Sequence, residues 1–83
     1  MVVDKVDRDP HFVKLFSKLD NNRKEKVKTQ IRKIITNPEI GKQMRYARKG
    51  TREVYVRPFR LSYPYIPKEN KIIFLDLYHK DGQ

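Results

Sequence analysis

The spacing of apolar residues changes once along this chain, and the change divides it into two halves. In the first half the spacing is helical. Phe12, Leu15, Phe16 and Leu19 fall at i, i+3, i+4 and i+7, one stripe along a helix. Asp9-Pro10 supplies its start, with Asp as N-cap and Pro at the first helical position, where its missing N–H costs nothing. Asp20-Asn21-Asn22 breaks this helix. The spacing predicts a second helix from Asn22, with Glu25 three residues on completing a capping box and Val27, Ile31, Ile34 and Ile35 as its buried stripe. Asn37-Pro38 ends it, because the residue before a proline avoids the helical region. Two amphipathic helices joined by a few polar residues predict an antiparallel hairpin.

From Gly50 onward the period is two. Residues 52–57 put Val54 and Val56 on one face and Glu53, Tyr55 and Arg57 on the other. Residues 59–66 put Phe59, Leu61, Tyr63 and Tyr65 on one face and Arg60, Ser62 and Pro64 on the other. Pro64 cannot donate to a ladder, so it marks an edge or a bulge. Lys68-Glu69-Asn70 makes a turn into a last strand, residues 71–78, with Ile73, Leu75 and Leu77 facing one way and Ile72, Phe74 and Asp76 the other. A short valine-rich strand at residues 2–6 and another at 44–46 complete the elements. The fold class is α+β in a single domain, residues 1–83: an N-terminal strand, a two-helix antiparallel hairpin, then an antiparallel β-meander. The helices cover one sheet face. The other face is free, and Arg60 lies on it if Phe59 and Leu61 point to the helices.

Charge then suggests what that free face meets. Twenty Lys and Arg stand against ten Asp and Glu, a formal net charge of +10, which suits nucleic acid or another polyanion. The cations cluster. Lys42, Arg45, Arg48, Lys49, Arg52, Arg57 and Arg60 lie in a stretch whose one acid is Glu53. From Gly50 to Tyr65, guanidiniums alternate with Glu53, Tyr55 and Tyr63, a surface suited to phosphate and stacked bases. The absence of cysteine excludes disulfides, thiolate metal sites and Cys nucleophiles, and two distant histidines, His11 and His79, argue against zinc. No signal core or membrane-length apolar run is present, so a cytoplasmic location without membrane contact is expected.

The order of elements and several short motifs resemble the RelE/ParE superfamily of toxins from toxin–antitoxin pairs. That family's pattern is a helical hairpin closed by Asn-Pro, then Gly-Lys-x-(Leu/Met)-Arg and a Gly. A strand follows, then an aromatic–Arg–Leu–x–Tyr strand and a last apolar strand ending in a His- or Arg-bearing tail. Here these are Asn37-Pro38, Gly41-Lys42-Gln43-Met44-Arg45, Gly50, Phe59-Arg60-Leu61-Ser62-Tyr63 and Leu77-Tyr78-His79-Lys80. The resemblance implies a RelE-like mRNA interferase, a metal-independent, ribosome-dependent endoribonuclease with no cofactor, held by a cognate antitoxin and acting on mRNA at the ribosome. It implies that Arg60 contacts the scissile phosphate, that His79 acts in catalysis, and that Arg52 and Arg57 bind RNA. The family also has a topoisomerase-directed branch. The strand positions where well-studied nucleases place lysines carry Glu53 and Tyr55, so a non-catalytic binding protein of the same fold stands as the alternative.

RNA cleavage needs removal of the 2′ proton, stabilisation of charge on the phosphate, and protonation of the leaving 5′ oxygen. Arg60 suits the second task, because guanidinium binds phosphate bidentately and keeps its charge. His79 suits the third, aided by Lys80, since imidazole titrates near neutrality. Glu53 could be a base or the ion-pair partner of Arg52 or Arg57. Tyr55 could stack on a base, donate to phosphate or pack across the strand. Arg45, Arg48, Lys49, Arg52 and Arg57 are expected to face RNA or ribosome. His11 is read as structural or exposed.

Overall fold

Both helices begin on aspartates. In the computed structural model, which describes residues 2–46 and 49–79, Asp9 accepts a hydrogen bond from the His11 backbone N–H at 2.9 Å and opens α1, Pro10–Ser17. Asp20 accepts from the Arg23 N–H at 2.8 Å and opens α2, Asn21–Thr36. The second cap corrects the expected one at Asn22. Asp20 precedes the helix in extended backbone and reaches the third N–H, so Glu25 has no capping role and pairs instead with Lys28. Each such cap contributes about 1 kcal/mol. Asn37 closes α2 ahead of Pro38, as expected.

The strands are β1, Lys5–Arg8; β2, Lys42–Gln43; β3, Arg52–Val56; β4, Phe59–Tyr63; β5, Tyr65–Ile66; β6, Lys71–Phe74; and β7, Asp76–His79. They pair as β2-β3-β4-β7 and β1-β6-β5, with β1 parallel to β6 at an edge and the other pairs antiparallel. β1 starts later than expected, and the strand sought at 44–46 lies at Lys42–Gln43 instead. Bonds from Ile73 N–H to Pro64 O and from Leu75 N–H to Ser62 O join the two sets. β4 and β5 therefore run on past Pro64, and β6 and β7 past Leu75, as one bent sheet.

That junction changes the expected facing of the last strand. Ser62 is opposite Asp76 and Tyr65 is opposite Ile72. Three steps on one side thus match four on the other, which defines a bulge with Leu75 as the extra residue. Ile72 and Phe74 share the buried face with Leu77, where strict alternation would have opposed them. The core contains Phe12, Val27 and Ile34 from the helices against Val56, Leu61, Tyr63, Ile72, Phe74 and Leu77 from the sheet. Phe12 packs on Phe74 and on Phe16, with ring centroids 5.7 and 5.9 Å apart. The helices thus occupy one face and leave the other open. Among the described residues no helix is long and apolar enough to cross a membrane.

Candidate functional site

Residues paired across antiparallel strands share a face. Leu61 pairs with Val54 and Leu77, all turned to the helices. One residue over, Arg60 pairs with Tyr55 and Tyr78, and Ser62 pairs with Glu53 and Asp76. These residues, with Lys42 opposite Glu53, form the helix-free face.

At its centre, Glu53 is held by Tyr78. The phenol O–H lies 2.6 and 2.7 Å from the two carboxylate oxygens, reaching across β4 over the small Ser62. The Arg60 guanidinium comes to 3.6 Å of the same carboxylate, outside hydrogen-bond range. Only 2% of the Glu53 side chain is exposed, against 32% of that of Arg60. The Nε–H of Arg60 is buried and has no partner among the described residues. A buried donor left in that state costs about 1–3 kcal/mol, so stability alone does not account for Arg60. An open cleft of about 300 Å³ lies here between Lys42, Glu53, Val54, Tyr55 and Arg60. Tyr55 flanks it, half exposed. The arrangement can hold an anionic group against a guanidinium, and it sets a phenol–carboxylate couple beside it.

The structure separates other residues that the sequence motifs group. His79 pairs with Phe59 and its ring meets the Phe59 ring edge-on at 5.8 Å, on the opposite side of β7 from Tyr78. The expected convergence of His79 with Arg60 is absent. Arg52 lies on the helix side and donates to the Glu39 and Gly41 carbonyls at 3.1 and 2.9 Å. It braces the loop after α2 and is not part of the free face. Glu53 accordingly pairs with Arg60, not with Arg52 or Arg57. Tyr63, counted with the aromatics of the basic stretch but set by alternation on the face of Leu61, is fully buried on that face; its hydroxyl donates to Pro38 O at 2.8 Å and accepts from Gly41 N–H at 3.0 Å. Arg45 and Lys49 are exposed in the loop before β3, and Arg57 in the β3–β4 turn. Arg48 and Lys80 lie outside the described residues. Sequence reasoning misses Tyr78 as a site residue, because the bulge that aims it leaves no mark in apolar periodicity.

The fold has solved relatives. The chain superimposes on a chain of the RelBE2 toxin–antitoxin complex of Mycobacterium tuberculosis with a TM-score of 0.83 at 20% identity, covering 95% of this chain and 100% of that one. For the archaeal RelE–RelB complex of Pyrococcus horikoshii the TM-score is 0.79 at 15% identity, covering 99% and 100%. For the intact Escherichia coli RelBE complex it is 0.79 at 18%, covering 93% and 96%. No curated protein sequence matches the chain. A family profile described as the ParE-like toxin of type II bacterial toxin–antitoxin systems matches residues 6–80. With nearly its whole length inside that match, the chain belongs to the ParE-like toxin family of type II bacterial toxin–antitoxin systems.

Proposed function

We propose that this toxin is a ribosome-dependent mRNA endonuclease that blocks translation. The observation carrying this reading is Arg60, an under-bonded guanidinium on an open sheet face beside a phenol–carboxylate couple. In-line cleavage uses these groups directly. The 2′-OH passes its proton to the Tyr78 oxygen as the Tyr78 proton moves to Glu53. The 2′ oxygen bonds to phosphorus and the bond to the 5′ oxygen breaks. Arg60 stabilises the charge that gathers on the non-bridging oxygens, the task at which a positioned cation is worth most. Tyr55 offers an exposed ring to the neighbouring base, and Arg45, Lys49 and Arg57 supply cations around it.

The antitoxin contact falls on the opposite side of the molecule. A groove of about 350 Å³ between α1 and α2 has Phe12, Val13, Phe16 and Ile31 as its floor and Arg8, Lys28 and Arg32 at its rim. That suits an amphipathic helix with acidic flanks.

A second reading, binding without cleavage, is favoured by Glu53, since a carboxylate beside Arg60 offsets part of the charge meant for phosphate. Induced expression with primer extension on cellular mRNA separates the two. Growth arrest with cuts at ribosomal A-site codons, abolished in Arg60→Ala, supports the nuclease. Arrest with intact mRNA refutes it, and accompanying DNA breaks identify a topoisomerase as the target.

A further inference from the structure

The leaving 5′ oxygen needs a proton, and the free face holds a donor that neither the sequence motifs nor the family match indicates. His11 stands in the first turn of α1, exposed, yet its Nε2 lies 3.1 Å from Asp76 Oδ1, sixty-five residues away in sequence. Asp76 is fixed in turn, because the same Oδ1 accepts the Leu77 N–H at 2.8 Å. It sits in the cross-strand row Glu53–Ser62–Asp76, on the face that carries Arg60 and Tyr78. A cleft of about 340 Å³ is bordered here by His11, Lys49, Thr51, Ser62 and Asp76. Two strand spacings, about 10 Å, separate Glu53 from Asp76 along the row. A phosphate held by Arg60 would lie on the same sheet face as this pair.

We propose that His11, oriented by Asp76, protonates the leaving 5′ oxygen. The inference rests on the nuclease reading above. The imidazolium gives its proton to the oxygen as the P–O5′ bond breaks, while Tyr78 and Glu53 have taken the 2′ proton, so the charges balance. Asp76 is a positioning residue: it binds one ring nitrogen and leaves the other to face the cleft. The charged groups around the ring are Asp76 from β7, Asp9 at the head of α1 and Lys49 from the loop before β3.

The test is single-turnover cleavage of ribosome-bound mRNA by wild type, Arg60→Ala, His11→Asn and Asp76→Asn across pH. His11→Asn is expected to slow cleavage by about 10²–10⁴-fold and to abolish the limb on which rate falls as pH rises. Asp76→Asn is expected to slow it less, with the loss likewise reduced on a substrate whose leaving group needs no proton. A 5′-thio leaving group, which departs without a proton, should restore His11→Asn to near the wild-type rate. A structural role for His11 would not give that rescue. If wild type cuts, Arg60→Ala does not, and His11→Asn keeps both rate and pH profile or is not rescued by the thio substrate, the His11 assignment falls alone. If wild type makes no cuts, the nuclease reading and this assignment fall together.

Discussion

Tyr63→Phe isolates one hydroxyl that ties the segment after α2 to the sheet. Tyr63 is fully buried, and its hydroxyl both donates to Pro38 O and accepts from Gly41 N–H. Phenylalanine keeps the ring and strands a buried carbonyl and a buried N–H. Each unsatisfied group costs about 1–3 kcal/mol. The two groups together give an expected loss of about 2–6 kcal/mol. Small domains have only about 5–15 kcal/mol in all. The assay is urea unfolding, where the midpoint should fall while the slope stays constant. Gly41 provides an internal check. A Cβ there would lie 2.6 Å from the Tyr63 hydroxyl oxygen and 3.0 Å from its Cε1 and from the Arg52 Cβ. Gly41→Ala should therefore cost less on the Tyr63→Phe background than on wild type, by a coupling of about 0.5–3 kcal/mol. Burial is the main cause that raises the Tyr63 pKa above 10.0. The unfolded chain thus loses this proton first as pH rises. The Tyr63 contribution is complete below about pH 10 and declines above it, so the gap between wild type and Tyr63→Phe should narrow there. A loss under about 0.5 kcal/mol, or strict additivity with Gly41→Ala, would refute the account of this hydroxyl as the loop's tie.

Two further perturbations bear on the free face. Glu53→Gln keeps an acceptor for Tyr78 but removes the proton sink and the negative charge beside Arg60; single-turnover cleavage should fall by about 10²-fold or more while RNA affinity holds or rises, and a fall in affinity would count against the proposed roles. Replacing Lys49 and Arg57 by alanine should weaken RNA binding in low salt and flatten log K against log salt by about 0.7 for each phosphate no longer neutralised, as read from titrations in increasing salt; an unchanged slope would exclude them from the interface.

The elements that depend on local chemistry are legible in the sequence. Asp9-Pro10 and Asn37-Pro38 mark helix ends by rules that act within two residues, and the Phe12–Phe16 stripe needs only a count. The face carrying Arg60 also follows from alternation in β4. What alternation does not reach is whatever depends on a partner strand. Alternation puts Tyr63 on the core face, but the loop groups that its hydroxyl ties lie 22 and 25 residues away. Arg52 reads as one of the phosphate-binding cations because its carbonyl acceptors belong to a loop whose path the sequence does not describe. A motif groups His79 with Arg60, while cross-strand register sets it against Phe59. The His11–Asp76 pair joins the first helix to the last strand, a pairing that no local signal announces.

The extra residue at Leu75 makes the last strand two segments whose phases are set independently. β6 answers to the core through Ile72 and Phe74, and β7 answers to the open face through Asp76 and Tyr78. Because slack collects between them, an in-frame loss of Leu75 would leave Tyr65 opposite Ile72 and Leu61 opposite Leu77, with every side chain on its present face. A strand without that spare residue has no such freedom, since any change in length inverts the facing of everything beyond it. The junction thus lets the site-bearing end of this small sheet lose one residue while the packed end stays in register.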